Sequence, residues 1–123
     1  MANIQMKRIY EPFEVADGFR VLVDRLWPRG VAKEAAHIDL WAKNIAPSTA
    51  LRKEFHSGRD SWEQFESLYK KELVSNPDLG GFVHLISDKK KTTFLFAGKD
   101  TEHAHVKVLI GVVEEKLDDM AKG

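Results

Sequence analysis

Two arginines and an aspartate lie close together in residues 24–30, which read Asp-Arg-Leu-Trp-Pro-Arg-Gly. Arg25 and Arg29 each carry a planar guanidinium, which binds a phosphate or carboxylate group through two hydrogen bonds. Trp27 lies between them, and an apolar wall beside a few polar groups is typical of a small-molecule site. The motif predicts that both arginines bind an anion and that Trp27 contacts it. The alternative is structural: the arginines pair with internal acids and Trp27 belongs to the core.

A second group of polar residues follows residues 92–98, whose threonine and phenylalanine content predicts a strand. The group contains Lys99, Asp100, His103 and His105. A helix is predicted to begin at Asp100 or the residue after it, where acidic side chains suit the positive end of a helix. The free N–H groups of that first turn would favour an anion.

The two loops are predicted to meet, because ligands of parallel α/β sheets bind outside the carboxyl ends of the strands. Arg52 would extend the basic rim of that site. An enzymatic version of the site has His103 or His105 as general acid or base, with Asp24 or Asp100 as its partner. The alternative is that a histidine makes only structural hydrogen bonds at the start of a helix.

We expect no metal ion and no other cofactor. Positions i and i+2 of a regular helix point about 200° apart, so His103 and His105 cannot share an ion there. The chain has no cysteine, which excludes thiol catalysis, disulfides and cysteine zinc sites. It also has no glycine-rich phosphate loop of the dinucleotide-binding or Walker type.

The length of 123 residues predicts a single domain over residues 1–123. A hydrophobic content of 43% and a charged content of 31% are typical of a globular chain. The formal net charge is zero, which argues against a dedicated nucleic-acid-binding protein. With neither a signal-peptide core nor a long apolar run, we expect a cytoplasmic protein without membrane contact.

Strands are predicted at residues 4–9, 20–24 and 92–98, with an extended segment at 38–42. A capping box at Ser61 and Gln64 predicts the start of one helix, and other helices are expected on either side of it and at the end of the chain. The pattern indicates an α/β fold: a small, mainly parallel sheet of three to four strands with helices on both faces. Five aromatic residues are expected in the core: Trp41, Phe55, Trp62, Phe65 and Tyr69.

Three motifs resemble the YeaO-like family of uncharacterised bacterial proteins. They are Leu-Val-Asp-Arg-Leu-Trp-Pro-Arg-Gly at residues 22–30, Ala-Pro-Ser-Thr-Ala-Leu-Arg at 46–52, and Lys-Asp-Thr-Glu-His-Ala-His at 99–105. The family has no assigned activity. The resemblance adds Ser48, also a predicted helix N-cap, to the candidate ligand-binding residues.

The same resemblance implies a departure at the second histidine. The family often has asparagine where this chain has Ala104, and more distant relatives look like they carry Cys-His-Arg there. This chain has Ala104, His105 and Val106 at those positions. A reaction that uses that cysteine or arginine is therefore not available to it in the same way.

The leading hypothesis is a site for a small ligand that carries a phosphate or carboxylate, with the histidine-based enzyme as its catalytic version. The candidate ligand-binding residues are Arg25, Trp27, Arg29, Ser48, Arg52 and Lys99. The candidate catalytic residues are His103, His105, Asp24 and Asp100. The alternative is a non-catalytic binding or regulatory module for a protein or nucleic-acid partner, in which aromatic residues stack on bases. The sequence leaves the oligomeric state open, including dimerisation through apolar helix faces.

Overall fold

Four parallel strands form one sheet in the order β1-β4-β2-β3 in the computed structural model, which describes residues 3–122. The strands are β1 (Asn3–Arg8), β2 (Phe19–Leu22), β3 (Leu40–Trp41) and β4 (Lys91–Phe96). In the central strand β4, Phe94 is aligned with Met6 on one side and Val21 on the other. The predicted parallel α/β sheet is confirmed.

Five α-helices accompany the sheet within residues 3–122, together with short 3-10 turns at Val15–Asp17 and Lys43–Ile45. The helices are α1 (Lys33–Ala36), α2 (Thr49–His56), α3 (Trp62–Ser75), α4 (Leu79–Ser87) and α5 (His105–Lys122). The predicted capping box begins α3: the Ser61 hydroxyl accepts the Gln64 N–H, and the Gln64 side chain accepts the Ser61 N–H. None of the helices in this part of the chain is long and apolar enough to cross a membrane.

The last helix begins at His105, so the prediction of a start at Asp100 or Thr101 is wrong. The Asp100 side chain explains the difference. Its Oδ1 atom accepts the backbone N–H groups of Glu102 and His103, both at 3.0 Å. An aspartate that binds nearby N–H groups in this way competes with helix formation. Residues 100–103 therefore form a polar turn, and they do not supply a helix N-terminus to the site.

The two faces of the sheet carry different side chains because successive residues of a strand point to opposite sides. Val21 and Phe94 pack in the main core with α2, α3, α4 and α5. Leu22 and Leu95 lie in a smaller cluster that includes Ala36 of α1. The prediction of helices on both faces is confirmed, with the four longer helices on the side of the main core.

A buried ionic network covers part of the second face. Asp17 lies 3.1 Å from the Lys7 Nζ atom and forms an ion pair with Arg20, and all three residues are at most 9% exposed. Arg20 also donates hydrogen bonds to the carbonyls of Ala36 and His37. The network therefore fixes the C-terminal end of α1 against the sheet.

Candidate functional site

A cavity of about 470 Å³ lies where the chain leaves β2 and β4. Nine of the ten predicted site residues line it: Asp24, Arg25, Trp27, Arg29, Arg52, Lys99, Asp100, His103 and His105. The tenth, Ser48, is not among the lining residues. The expected meeting of the two loops is thus present, because β2 and β4 are parallel neighbours.

Arg25 holds its loop against the segment that precedes α2. Its Nε and Nη2 atoms donate to the carbonyl oxygens of Pro47 and Ala46, both at 3.0 Å. These partners are neutral, so the guanidinium charge is not balanced by a carboxylate through these bonds. Arg25 is therefore both a structural anchor and a positive charge at the cavity.

Side chains also bind the neighbouring carbonyls of this segment. The Asn76 amide donates to the Asn44 carbonyl at 2.8 Å, and the Tyr69 hydroxyl donates to the Ile45 carbonyl at 2.6 Å. Burial, with a smaller contribution from the Glu72 charge, raises the pKa of Tyr69, so the hydroxyl keeps its proton. When the two Arg25 bonds are included, each backbone carbonyl from residue 44 to residue 47 accepts a hydrogen bond from a side chain. This fixes the chain that leads into α2, which carries Arg52 to the cavity.

Ser48 caps α2 and is occupied by internal bonds. Its hydroxyl accepts the Leu51 N–H at 3.2 Å and donates to Glu72 at 2.6 Å, while its backbone N–H donates to the other Glu72 oxygen at 2.9 Å. We therefore assign Ser48 a capping role and do not carry it into the ligand site.

Asp24 and His105 contact each other at the base of the site. The Nε2 atom of His105 lies 2.9 Å from the Val23 carbonyl oxygen and 3.3 Å from Oδ1 of Asp24. Because a carbonyl can only accept, Nε2 carries the hydrogen, and Nδ1 is the unprotonated nitrogen of the neutral ring. The other Asp24 oxygen accepts the Ala97 N–H at 2.8 Å, which joins the two loops.

Asp100 and His103 form a second acid–histidine pair at the more open side of the cavity. Oδ2 of Asp100 lies 3.3 Å from Nδ1 of His103, and both side chains are more than half exposed. Hydrogen bonds from the backbone N–H groups of His103 and Glu102 lower the pKa of Asp100. The carboxylate therefore stays ionised and shapes its own loop.

Three cations of the cavity have no partner in the part of the chain that the structure describes. Within residues 3–122, the side chains of Arg29, Arg52 and Lys99 make no hydrogen bond or ion pair to another protein group. The Arg29 carbonyl, in contrast, accepts the Tyr10 hydroxyl at 3.1 Å, which holds the backbone of its loop. The loop is thus fixed while the guanidinium is left available.

Residues 3–123 match the family described as "Inactive DUF488-N3 subclade". The chain belongs to this family. It is also 44% identical to "Uncharacterized protein YeaO" of Escherichia coli K12, over 87% of this chain and 93% of that protein. A more distant relative is "Uncharacterized protein Rv3073c" of Mycobacterium tuberculosis H37Rv, 32% identical over 87% of this chain and 90% of that protein. No solved structure matches the chain significantly.

Further residues of this DUF488-N3 member support or line the cavity, and none of them was predicted to do so. Arg8, at the end of β1, donates to the carbonyls of Ala97 and Gly98, both at 2.8 Å. Because β1 is parallel to β4, its carboxyl end lies at the same edge, and this rule applied to the first strand would have found Arg8. Phe55 and Phe65, expected only in the core, also line the cavity.

Proposed function

We propose that the cavity binds the phosphate or carboxylate group of a small-molecule ligand and that the protein acts by binding. The observation that carries this proposal is a set of three cations whose side chains have no partner within residues 3–122: Arg29, Arg52 and Lys99. A guanidinium offers five N–H donors in a planar fork that matches an anionic oxygen pair. Two such forks and an ammonium group around one cavity suit an anion that comes from outside the protein.

The charge balance of the cavity supports the same proposal. Four cationic side chains line it, against the two carboxylates of Asp24 and Asp100. Both carboxylates are held by backbone N–H groups, and among the described residues neither forms an ion pair with an arginine. The whole chain has a formal net charge of zero, so the cavity is a local positive region, which attracts anions.

Binding without turnover is supported by the description of the family as inactive. The position next to His105 carries Ala104, a buried residue of the cavity lining. Its methyl group cannot act as a nucleophile or transfer a proton. Ala104 therefore adds no reactive group to the site, which favours recognition of the anion over covalent catalysis at this position.

Thermal unfolding with increasing inorganic phosphate or acetate tests the proposal. A ligand at 100 times its dissociation constant stabilises a protein by about 2.7 kcal/mol. We expect Arg52→Gln to weaken binding by about 1.5–3 kcal/mol, the contribution of hydrogen bonds to a charged group. The matched control is Arg59→Gln, because Arg59 is exposed and does not line the cavity.

A wild-type protein that responds to neither anion would overturn the proposal and favour a macromolecular partner. An equal response of wild type and Arg52→Gln would place anion binding elsewhere on the protein. The proposal is supported if Arg59→Gln binds the anion as the wild type does and Arg52→Gln binds it more weakly.

The contact between Asp24 and His105 favours a second candidate, acid–base catalysis. In this version Nδ1 of His105 accepts a proton from water as the water oxygen bonds to the phosphorus of a phosphate ester; the ester P–O bond breaks, the alcohol or phenolate leaves, and Asp24 stabilises the charged ring. Hydrolysis of p-nitrophenyl phosphate by the wild type, lost in His105→Gln, would support it. If phosphate binds but neither protein hydrolyses the ester, anion binding remains as the only proposed function.

A further inference from the structure

The cavity has a large apolar part that an anionic group alone does not use. Phe55, Phe65 and Phe96 line it from the main core, and Trp27 lines it from the loop after β2. A volume of about 470 Å³ lies in the range of roughly 300–1,000 Å³ typical of sites for drug-sized molecules. The site therefore has room for a ligand body beyond the charged group.

The aromatic walls are held in place by other contacts. The Trp27 indole N–H donates to the Val31 carbonyl at 2.7 Å, and its ring packs edge-on against Trp41 at 5.3 Å. The Phe55 ring lies 4.7 Å from that of Phe65 and 5.9 Å from that of Trp62. Walls that are already ordered lose little conformational entropy when a ligand binds.

An exposed apolar side chain lies at the same cavity. Leu26 follows Arg25 in the chain and lines the cavity with it, and its side chain is 63% exposed to solvent. Apolar surface that remains in water is a source of binding free energy for whatever covers it. A bare inorganic anion cannot cover it, but a ligand with an apolar body can.

We propose that the ligand is an aryl anion: an aromatic ring that packs against Trp27, Phe55 and Leu26 and carries a phosphate or carboxylate held by the arginines. This inference rests on the anion-binding function proposed above and specifies its ligand class. Aromatic rings gain from edge and offset contacts with other rings beyond the area that they bury. The ring therefore provides selectivity among anions of equal charge.

Calorimetric titration of the full-length chain with matched pairs of probes tests the inference. Phenyl phosphate is compared with ethyl phosphate, and benzoate with acetate, so that the charged group stays constant within each pair. We expect the aryl member of at least one pair to bind about tenfold more tightly. The phosphate and carboxylate pairs distinguish the two possible charged groups.

Two variants locate the ring. Phe55→Leu keeps an apolar side chain but removes an aromatic wall, so the affinity for phenyl phosphate should fall by more than the affinity for ethyl phosphate, and the preference for the aryl probe should fall. Leu26→Ser alters an exposed residue and spares the core; we expect the affinity for phenyl phosphate to fall about threefold. The control is Val74→Ser, because Val74 is 73% exposed and does not line the cavity.

Equal affinities within both pairs would overturn the aryl inference and leave the anion site intact. Binding of phenol as tightly as phenyl phosphate would instead overturn the anion-binding function and leave an apolar pocket. If none of the probes binds, both proposals are overturned. An aryl preference that survives unchanged in both Phe55→Leu and Leu26→Ser would exclude the proposed walls.

Discussion

His105 contacts Asp24 through Nε2, the same ring nitrogen that donates to the backbone at Val23. One nitrogen of the ring is thus committed to two acceptors, one of which is a carbonyl that can never donate. This arrangement fixes the tautomer and leaves Nδ1 as the nitrogen available to a ligand or to water.

We predict that neutral His105 carries its hydrogen on Nε2 and that Asp24→Asn does not change this tautomer. The Val23 carbonyl accepts at 2.9 Å in either protein and requires a donor. Long-range ¹H–¹⁵N NMR correlations of the ring at a pH where it is neutral distinguish the two nitrogens. A switch to Nδ1–H in Asp24→Asn would show that the carboxylate, and not the carbonyl, sets the tautomer.

The buried network predicts a large difference between two carboxylates that contact the same ammonium group. Asp17 and Glu14 both lie 3.1 Å from Lys7 Nζ, but the Asp17 side chain is 3% exposed and that of Glu14 is 66% exposed. Asp17→Asn should lower the free energy of unfolding by about 3–5 kcal/mol, because it leaves buried Arg20 without a counter-charge and leaves Lys7 with only the exposed carboxylate of Glu14. Glu14→Gln should change it by less than about 1 kcal/mol. Urea denaturation of both variants measures this, and similar losses would contradict it.

The same network predicts acid sensitivity. Burial raises the pKa of Asp17, but hydrogen bonds from Lys7, the Glu14 backbone and Arg20 together bring it below the usual 3.8. A lowered folded-state pKa contributes stability that is fully present above pH 3.8 and is lost as the pH falls through the lower value. The difference in unfolding free energy between wild type and Asp17→Asn should therefore shrink below about pH 4. A difference that stays constant down to pH 2 would contradict the assignment.

Two tyrosine hydroxyls each donate to one backbone carbonyl, and Tyr10 is the exposed control for the contact that Tyr69 makes with the segment before α2. The Tyr69 hydroxyl donates to the Ile45 carbonyl inside the core, whereas the Tyr10 hydroxyl donates to the Arg29 carbonyl near the surface. Tyr69→Phe leaves a buried carbonyl unpaired and should cost about 1–3 kcal/mol of unfolding free energy. Tyr10→Phe should change it by about 0.5 kcal/mol or less, because water replaces the donor. If Tyr69→Phe lowers the free energy of unfolding no more than Tyr10→Phe does, the Tyr69 contact with residues 44–47 contributes little to stability.

Because the chain has no cysteine, an introduced thiol reports on the cavity alone. Gly98 lines the cavity, and a Cβ atom built there lies 4.0 Å from the Phe96 ring, an ordinary contact. Phenyl phosphate at ten times its dissociation constant should slow alkylation of Gly98→Cys by about tenfold. Gly111→Cys, on α5 with open space around it, should react at the same rate with and without the ligand. Unchanged labelling of Gly98→Cys, despite binding measured by calorimetry, would place the ligand elsewhere.

The edge of the sheet at which the site lies was predictable because it depends on local patterns. The apolar runs before Asp24 and Lys99 indicate strands, and parallel strands bring their carboxyl ends together. What the sequence does not contain is pairing between distant residues. The capping role of Ser48 was predicted and is confirmed, but its bonds to Glu72, 24 positions away, were not predictable.

The prediction of where the last helix begins was wrong because a local pattern, and not a distant contact, was ambiguous. Acidic residues near Asp100 suit a helix N-terminus and also suit a turn that binds its own N–H groups. The local pattern cannot distinguish the two outcomes. The buried pair of Lys7 and Asp17 was also not predictable, because it forms only when β1 and the turn before β2 fold against each other.

The central position of β4 has a consequence for the synthesis of the protein. β1 and β2 do not pair with each other; both pair with β4, whose residues 91–96 leave the ribosome after the other three strands. Pairing across so many residues makes folding slow, because the loop must close before its contacts form. Until then the first strands have unpaired edges, which are prone to aggregate. Assembly of the sheet, and with it the cavity between β2 and β4, therefore waits until β4 has been synthesised.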